Sequence, residues 1–194
     1  MQYFGLSNFT GWQLTAVSER ARANRWTAPV SLQPQYNLLT RHIELEITGA
    51  SAAYELGLIP WSPLAGGWLS GKYSRDHTPE GATRLGENPS RGMEDYARRN
   101  TDTTWRILDV VAEVAEASGL TMAQVSLVWL ADRPQVTAPI LGNRTIEQLA
   151  GALAIADTHL DPELTARLDE VSAPVMPDYP YGELGLVQRS RTLG

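Results

Sequence analysis

The chain has 194 residues, 43% of them apolar and six of them tryptophan, which is enough to bury a sizeable core in one domain. Sixteen basic against twenty-two acidic residues leave a formal net charge of −6, arguing against nucleic acid or an anionic membrane surface as the main partner. The lack of cysteine excludes a disulfide framework, a thiolate nucleophile and a cysteine zinc site. MQYFGLSNF carries no basic leader or long apolar stretch, so the profile is that of a soluble cytoplasmic protein.

Strand-like apolar runs alternate with helical patterns along the chain. Residues 3–7 predict a strand, followed by a helix over about 10–24. A second strand at 29–33 precedes a helix over about 41–56, and a third strand is expected at 57–61. The third strand runs into Ser62, Pro63, Gly66, Gly67, Ser70 and Gly71, a turn whose tight backbone exposes N–H groups to an anion. Residues 76–100 are rich in Gly, Pro and charge without periodicity, and read as a long loop that could act as a lid.

Beyond it, Trp105, Leu108, Val111, Ala112 and Ala115 recur at helical spacing, one apolar face toward a sheet. MAQVSLVWLAD is apolar nearly all round and is expected to be buried on two sides, with Pro134 marking its end. A fourth strand is predicted at 138–142. Thr145 with Gln148 then forms a capping-box pair that starts a helix, placing Gly142, Asn143 and Arg144 at a helix N-terminus, a second anion site. Four strand–helix units in succession indicate an α/β fold with a parallel sheet. The stretch from Pro174 onward reads as a surface tail.

Several motifs fail on inspection. Gly66, Gly71 and Lys72 satisfy GxxxxGK, but the next residue is Tyr73, so the Mg²⁺ ligand of a P-loop is missing. GLSNF has Phe9 where a nucleophile elbow needs glycine, which removes Ser7 as a nucleophile. His42, His77 and His159 lack any metal-ligand spacing, so no metal is expected.

Four runs taken together, YFGLSNF, LQPQYNLLTRHIE, GLIPWSPLAGGWLSGKY and APILGNRTIEQL, resemble in order and spacing the C-terminal half of the aldo/keto reductase family. The resemblance implies the last four strand–helix units of a (β/α)8 TIM barrel, with residues 1–174 as a partial barrel and 175–194 as a tail. A complete barrel needs about 250 residues, so the first half is expected to be absent.

The resemblance also implies a cofactor, NADPH or NADP+, and a set of residues to hold it. Ser7, Asn8 and Gln33 match positions that hold the nicotinamide carboxamide, and Trp61 matches the aromatic that stacks on the nicotinamide ring. Ser62, Pro63, Leu64, Gly66 and Lys72 lie in the segment that wraps the pyrophosphate. Asn143, Arg144 and Gln148 match the loop and helix start that take the 2′-phosphate and adenosine, and an arginine there favours NADPH over NADH. Where the family commonly carries an acidic residue and an asparagine against adenine, this chain has Gly151 and Ala152.

No catalytic residue is assigned. The family's tyrosine acid is activated by a desolvated lysine, with an aspartate and a histidine, all on the other half of the barrel. The only lysine here is Lys72, already placed in the cofactor segment. The chain is therefore expected to capture cofactor, and to act on a small aldehyde or ketone only when completed. The alternative is a catalytically inactive half-barrel module for binding or assembly, which pairs with itself or with an N-terminal half or serves as a cofactor-sensing subunit. A degraded or mis-started product is a third reading.

Overall fold

Short polar residues punctuate the chain just where its helices begin. Thr101, Thr121 and Thr145 each accept a hydrogen bond from the backbone N–H three residues on, Asp161 accepts from Glu163 ahead of Pro162, and Gln13 reaches back to the Thr10 N–H at 3.0 Å. The structure is a computed structural model describing residues 2–88, 90 and 92–189. The expected tail positions 190–194 lie outside the described residues.

Strand β1 (Gly5–Ser7), helix α1 (Gly11–Asn24), strand β2 (Ser31–Gln33), helix α2 (Ile47–Ala53) and strand β3 (Gly57–Leu58) follow in turn. The strands form one parallel sheet in the order β1-β2-β3, with Gly5 beside Ser31 and Ser31 beside Gly57. After β3 the chain is helical: α3 (Arg84–Glu87), α4 (Tyr96–Arg99), α5 (Asp102–Ser118), α6 (Met122–Ala131), α7 (Ile146–Leu153), α8 (Pro162–Val171) and α9 (Glu183–Arg189). Helix α5 packs on α6 and α8, and α6 on α7. No single helix among the described residues is long and apolar enough to cross a membrane.

Four local expectations are corrected. The predicted fourth strand at 138–142 is not a strand, because Pro139 has no N–H to give to a ladder. Instead Val136 forms a lone parallel bridge to Leu58, and single bonds run from the Leu58 N–H to the Gln135 carbonyl (2.7 Å), from Thr137 to Leu58 (2.8 Å) and from Ile140 to Pro60 (2.8 Å). The helix expected over 41–56 is divided at Glu46 into a 3₁₀ turn (His42–Leu45) and α2. Arg41 grips Glu44 at 2.7 and 2.9 Å, and a residue pair three apart suits the eclipsed spacing of a 3₁₀ turn. In α5, Ala112 faces solvent, and Ile107 and Val114 complete the buried face instead.

The segment 76–100 is not an unstructured loop. Leu85 is wholly buried, Tyr96 and Glu94 are nearly so, and short turns at Arg84–Glu87, Gly92–Glu94 and Tyr96–Arg99 carry them inward. They meet Trp68, which is 0% exposed. Its indole stacks on Tyr96 at 5.4 Å and takes Tyr73 and Trp105 edge-on at 5.2 and 5.5 Å, while its N–H donates to the Glu94 carbonyl at 3.3 Å.

A second cluster ties α8 to the segment after β2. The guanidinium groups of Arg41 and Arg133 lie 5.2 and 4.7 Å from the Trp129 ring, and Asp169 accepts from Arg133 at 3.0 Å and from the Trp129 N–H at 2.9 Å. Tyr36 donates to Glu44 at 2.7 Å, and burial followed by that hydrogen bond pushes its phenol well above the usual tyrosine range.

Truncating Trp68 to alanine removes a filled core position and should cost roughly 3–5 kcal/mol in equilibrium urea unfolding. Trp12, 68% exposed on α1, should cost no more than about 0.5 kcal/mol when truncated in the same way. Equal losses at the two positions would contradict the packing described.

Candidate functional site

The turn after β3 is built from backbone that side chains resist. Ser62, Ala65, Gly66 and Gly67 all have positive φ, at 55°, 48°, 66° and 105°. A Cβ on Gly66 would lie 3.0 Å from Glu94 and one on Gly67 would lie 3.0 Å from the Tyr73 hydroxyl, so glycine is required there both for conformation and for room. Ser62 is held in place by Asn37, whose fully buried side chain donates from Nδ2 to the Ser62 carbonyl at 2.8 Å and accepts from the Leu39 N–H at 2.9 Å.

Glu94 fastens the turn from the other side. Its Oε1 accepts from Gln35 Nε2 at 2.5 Å and from Ser62 Oγ at 3.0 Å, and its Oε2 meets Arg99 Nε at 3.2 Å. Arg99 extends the clamp to the Leu39 carbonyl (2.8 Å) and the Thr40 hydroxyl (2.7 Å). The pair is largely buried, with side-chain exposures of 15% and 11%. Leaving either charge unpaired would therefore be destabilising.

This turn forms one wall of a cleft of about 440 Å³ whose other walls come from residues 82–83, α6, α7 and the loop before α7. The lining includes Lys72 and Arg144 and, among the described residues, no carboxylate. Asn143 Nδ2 is buried there without a hydrogen-bond partner, a state that buried amides rarely keep. Arg144 is paired: its two terminal nitrogens meet the two Glu87 carboxylate oxygens at 3.0 and 2.8 Å, and that hydrogen bond holds the guanidinium above its usual range. Lys72 is exposed.

The twelve residues singled out in the sequence fall into two neighbouring groups. Ser62, Pro63, Leu64, Gly66, Lys72, Asn143, Arg144 and Gln148 all line the cleft. Ser7, Asn8, Gln33 and Trp61 sit at the strand ends beside it. Ser7 Oγ and the Asn8 N–H both donate to the Gln33 carbonyl at 3.2 Å, and the Trp61 N–H donates to Asn8 Oδ1 at 2.9 Å, which fixes the half-buried indole plane. Trp61, Ser62 and Pro63 border a second hollow of about 400 Å³, closed by Leu85, Met93 and Ile140.

One expectation is amended at the start of α7. The Thr145 hydroxyl does accept the Gln148 N–H at 3.2 Å, but Gln148 Oε1 takes the Arg144 N–H at 2.9 Å instead of closing a capping box on Thr145. Gln148 thus sets the loop bearing Asn143 and Arg144.

Comparison with known proteins gives this geometry a context. The pattern of the Aldo/keto reductase family matches residues 1–173. The chain belongs to the aldo/keto reductase family. It is 33% identical over 171 residues to the "Uncharacterized oxidoreductase YrpG" of Bacillus subtilis (strain 168), covering 88% of this chain and 49% of that protein. It is 31% identical to the "Versiconal hemiacetal acetate reductase" of Aspergillus parasiticus (89% and 49%) and 31% identical to the "Probable voltage-gated potassium channel subunit beta" of Oryza sativa subsp. japonica (87% and 52%). The chain spans about half the length of the curated relatives it matches.

For an aldo/keto reductase chain, the notable additions to the sequence reading are Asn37, Glu94, Gln124 and Glu87. Asn37 sits in the quoted run QPQYNLL, so its position was visible but its inward direction was not. Glu94 and Glu87 lie in the aperiodic segment, where nothing local marks a residue whose partner is 59 or 57 positions away. Gln124 donates to the Gly151 carbonyl at 3.0 Å, bracing α7 against α6 where the polar pair common in the family is replaced.

Asn37→Ala should lower the unfolding free energy by about 1–3 kcal/mol, since it strips partners from buried backbone groups at Leu39 and Ser62. A urea midpoint within error of the parent chain would show that the turn stands without it.

Proposed function

We propose that the chain is the NADPH-holding portion of an aldo/keto reductase, equivalent to the last four strand–helix units of a (β/α)8 barrel, whose complete form reduces aldehydes or ketones. The observation that carries the reading is the cleft: two cations, an unpartnered buried amide and a glycine turn with positive φ face one space. That donor set suits a polyanionic ligand, and a space of this size suits a nucleotide-sized one. In this reading Lys72 and the turn at 62–67 bind the pyrophosphate, Asn143 and Arg144 bind the 2′-phosphate, and Gln148 orients their loop. Trp61 flanks the nicotinamide, and Ser7, Asn8 and Gln33 hold its carboxamide. Asn8 Oδ1 is already engaged by Trp61, so its Nδ2 is the group left to donate. When bound, the reduced nicotinamide supplies hydride to a carbonyl carbon.

Proton supply to the carbonyl oxygen is assigned to none of these residues. A tyrosine acid working near neutral pH needs its pKa lowered, whereas burial raises that of Tyr36 and Tyr96 and the hydrogen bond to Glu19 raises that of Tyr54. The exposed Lys72 cannot serve as the desolvated partner of such an acid.

Titrating NADPH into the chain should change its tryptophan emission, and Arg144→Ala should weaken NADPH by about tenfold or more while leaving NADH nearly unaltered. The same loss for both cofactors would remove the 2′-phosphate assignment. The 194-residue chain should show no NADPH oxidation with a simple aldehyde, and steady turnover would refute the division of labour proposed here.

A second reading, association with another polypeptide, draws on α7. Ile146, Leu149 and Leu153 share one helix face, turned from α6 and 81%, 43% and 59% exposed. Sedimentation should find the chain self-associating at micromolar concentration and Leu149→Lys shifting it toward monomer. A compact monomer throughout would exclude pairing of the chain with itself.

A further inference from the structure

Glu87 lies outside the four runs that carry the resemblance, yet it pairs with one of the two cations that line the cleft. It ends α3, a single turn capped by the Thr83 hydroxyl on the Gly86 N–H at 2.9 Å and anchored by the wholly buried Leu85. Ala82 and Thr83 line the main cleft and Leu85 lines the neighbouring hollow, so α3 sits on the partition between them. From that position the Glu87 carboxylate makes a two-point pair with Arg144, oxygen for oxygen the arrangement in which a guanidinium receives a phosphate. The binding edge of Arg144 is therefore already filled by an anion from the chain itself.

We infer that Glu87 is a specificity-determining residue: its carboxylate competes with a ligand's 2′-phosphate for Arg144 and so sets how strongly the cleft separates 2′-phosphorylated adenine nucleotides from 2′-hydroxyl ones. The inference rests on the cofactor reading above. A ligand carrying a 2′-phosphate must displace Glu87 and then tolerate the detached carboxylate nearby. A ligand carrying a 2′-hydroxyl faces no such exchange, and its hydroxyl is itself a donor to a carboxylate.

The pair is built to be exchanged. Its side chains are 45% and 50% exposed, so solvent screens it, unlike the Glu94–Arg99 pair at 11% and 15%. An exposed pair of this kind shifts a competing equilibrium by roughly two- to fivefold. It therefore modulates selectivity without closing the site. Asn143, beside Arg144 and unpartnered at Nδ2, supplies a donor that Glu87 does not satisfy, giving the incoming phosphate a contact the internal carboxylate lacks.

The test uses the full chain with adenosine 2′,5′-bisphosphate and adenosine 5′-monophosphate, read by calorimetry for the parent, Glu87→Gln, Arg144→Ala and the double variant. The parent should bind the bisphosphate more tightly. Glu87→Gln should tighten the bisphosphate roughly two- to fivefold and leave the monophosphate unchanged or slightly weaker. In the Arg144→Ala background the gain from Glu87→Gln should shrink markedly, because the competition is for that arginine. A parent chain that prefers the bisphosphate, with that preference lost in Arg144→Ala but unmoved or reduced in Glu87→Gln, overturns the competition while keeping the cofactor reading. A parent that binds neither ligand, or an Arg144→Ala variant that loses nothing, overturns both.

Discussion

Burial of Trp68 is the constraint on which the cleft depends. A tryptophan two residues after a glycine with φ near +66° can reach the core only if the chain folds back sharply, and Gly66 and Gly67 permit that reversal. Once inside, the indole recruits aromatics from three places: Tyr73 just beyond the turn, Tyr96 from the segment after it and Trp105 from α5. The turn's shape is thus set by packing beneath it and by Asn37 and Glu94 at its flanks. Donors held in place by such packing lose little freedom when an anion arrives.

The charged groups divide by burial into two kinds. Glu94 with Arg99, and Arg41 with Glu44, Asp169 and Arg133, are more sheltered pairs, each held by several hydrogen bonds. They hold separate segments of chain together, and removing one member leaves an uncompensated charge inside. Arg144 with Glu87 lies in solvent and can exchange partners cheaply, as a binding group must. The same chemistry, a guanidinium on a carboxylate, is structural in one setting and adjustable in the other, and the difference is access to water.

The sequence made the local features legible and left the distant ones hidden. Helix starts near Thr10 and at Thr145 and the glycine turn at 66–67 depend on neighbours within a few residues, and the amphipathic pattern of α5 depends on a short period; all could be read directly, apart from the swap of Ala112 for Ile107 and Val114. The parallel pairing of the three strands followed from alternation with helices. The fourth does not form, because the hydrophobicity of 138–142 cannot supply the N–H that Pro139 lacks. The segment 76–100 looked aperiodic because its anchors, Leu85, Glu94 and Tyr96, enter the core one at a time from separate turns and form no repeating face. Eight of the twelve residues marked for a cofactor line one cleft, while Gln148 turned out to brace Arg144 and Asn8 to brace Trp61. Such bracing roles come from tertiary placement and leave no mark on spacing.

The chain is a member of the aldo/keto reductase family, spans about half the length of its relatives, and carries a cleft lined by Lys72 and Arg144. Its central claim is that this cleft takes a nicotinamide dinucleotide along the turn and the start of α7 together. Amide hydrogen exchange of the chain with and without saturating NADP+ tests that claim most directly. Added protection should appear jointly in residues 62–72 and 142–149, with α8 unchanged. Protection absent from both segments, or spread evenly over the whole chain, would contradict it.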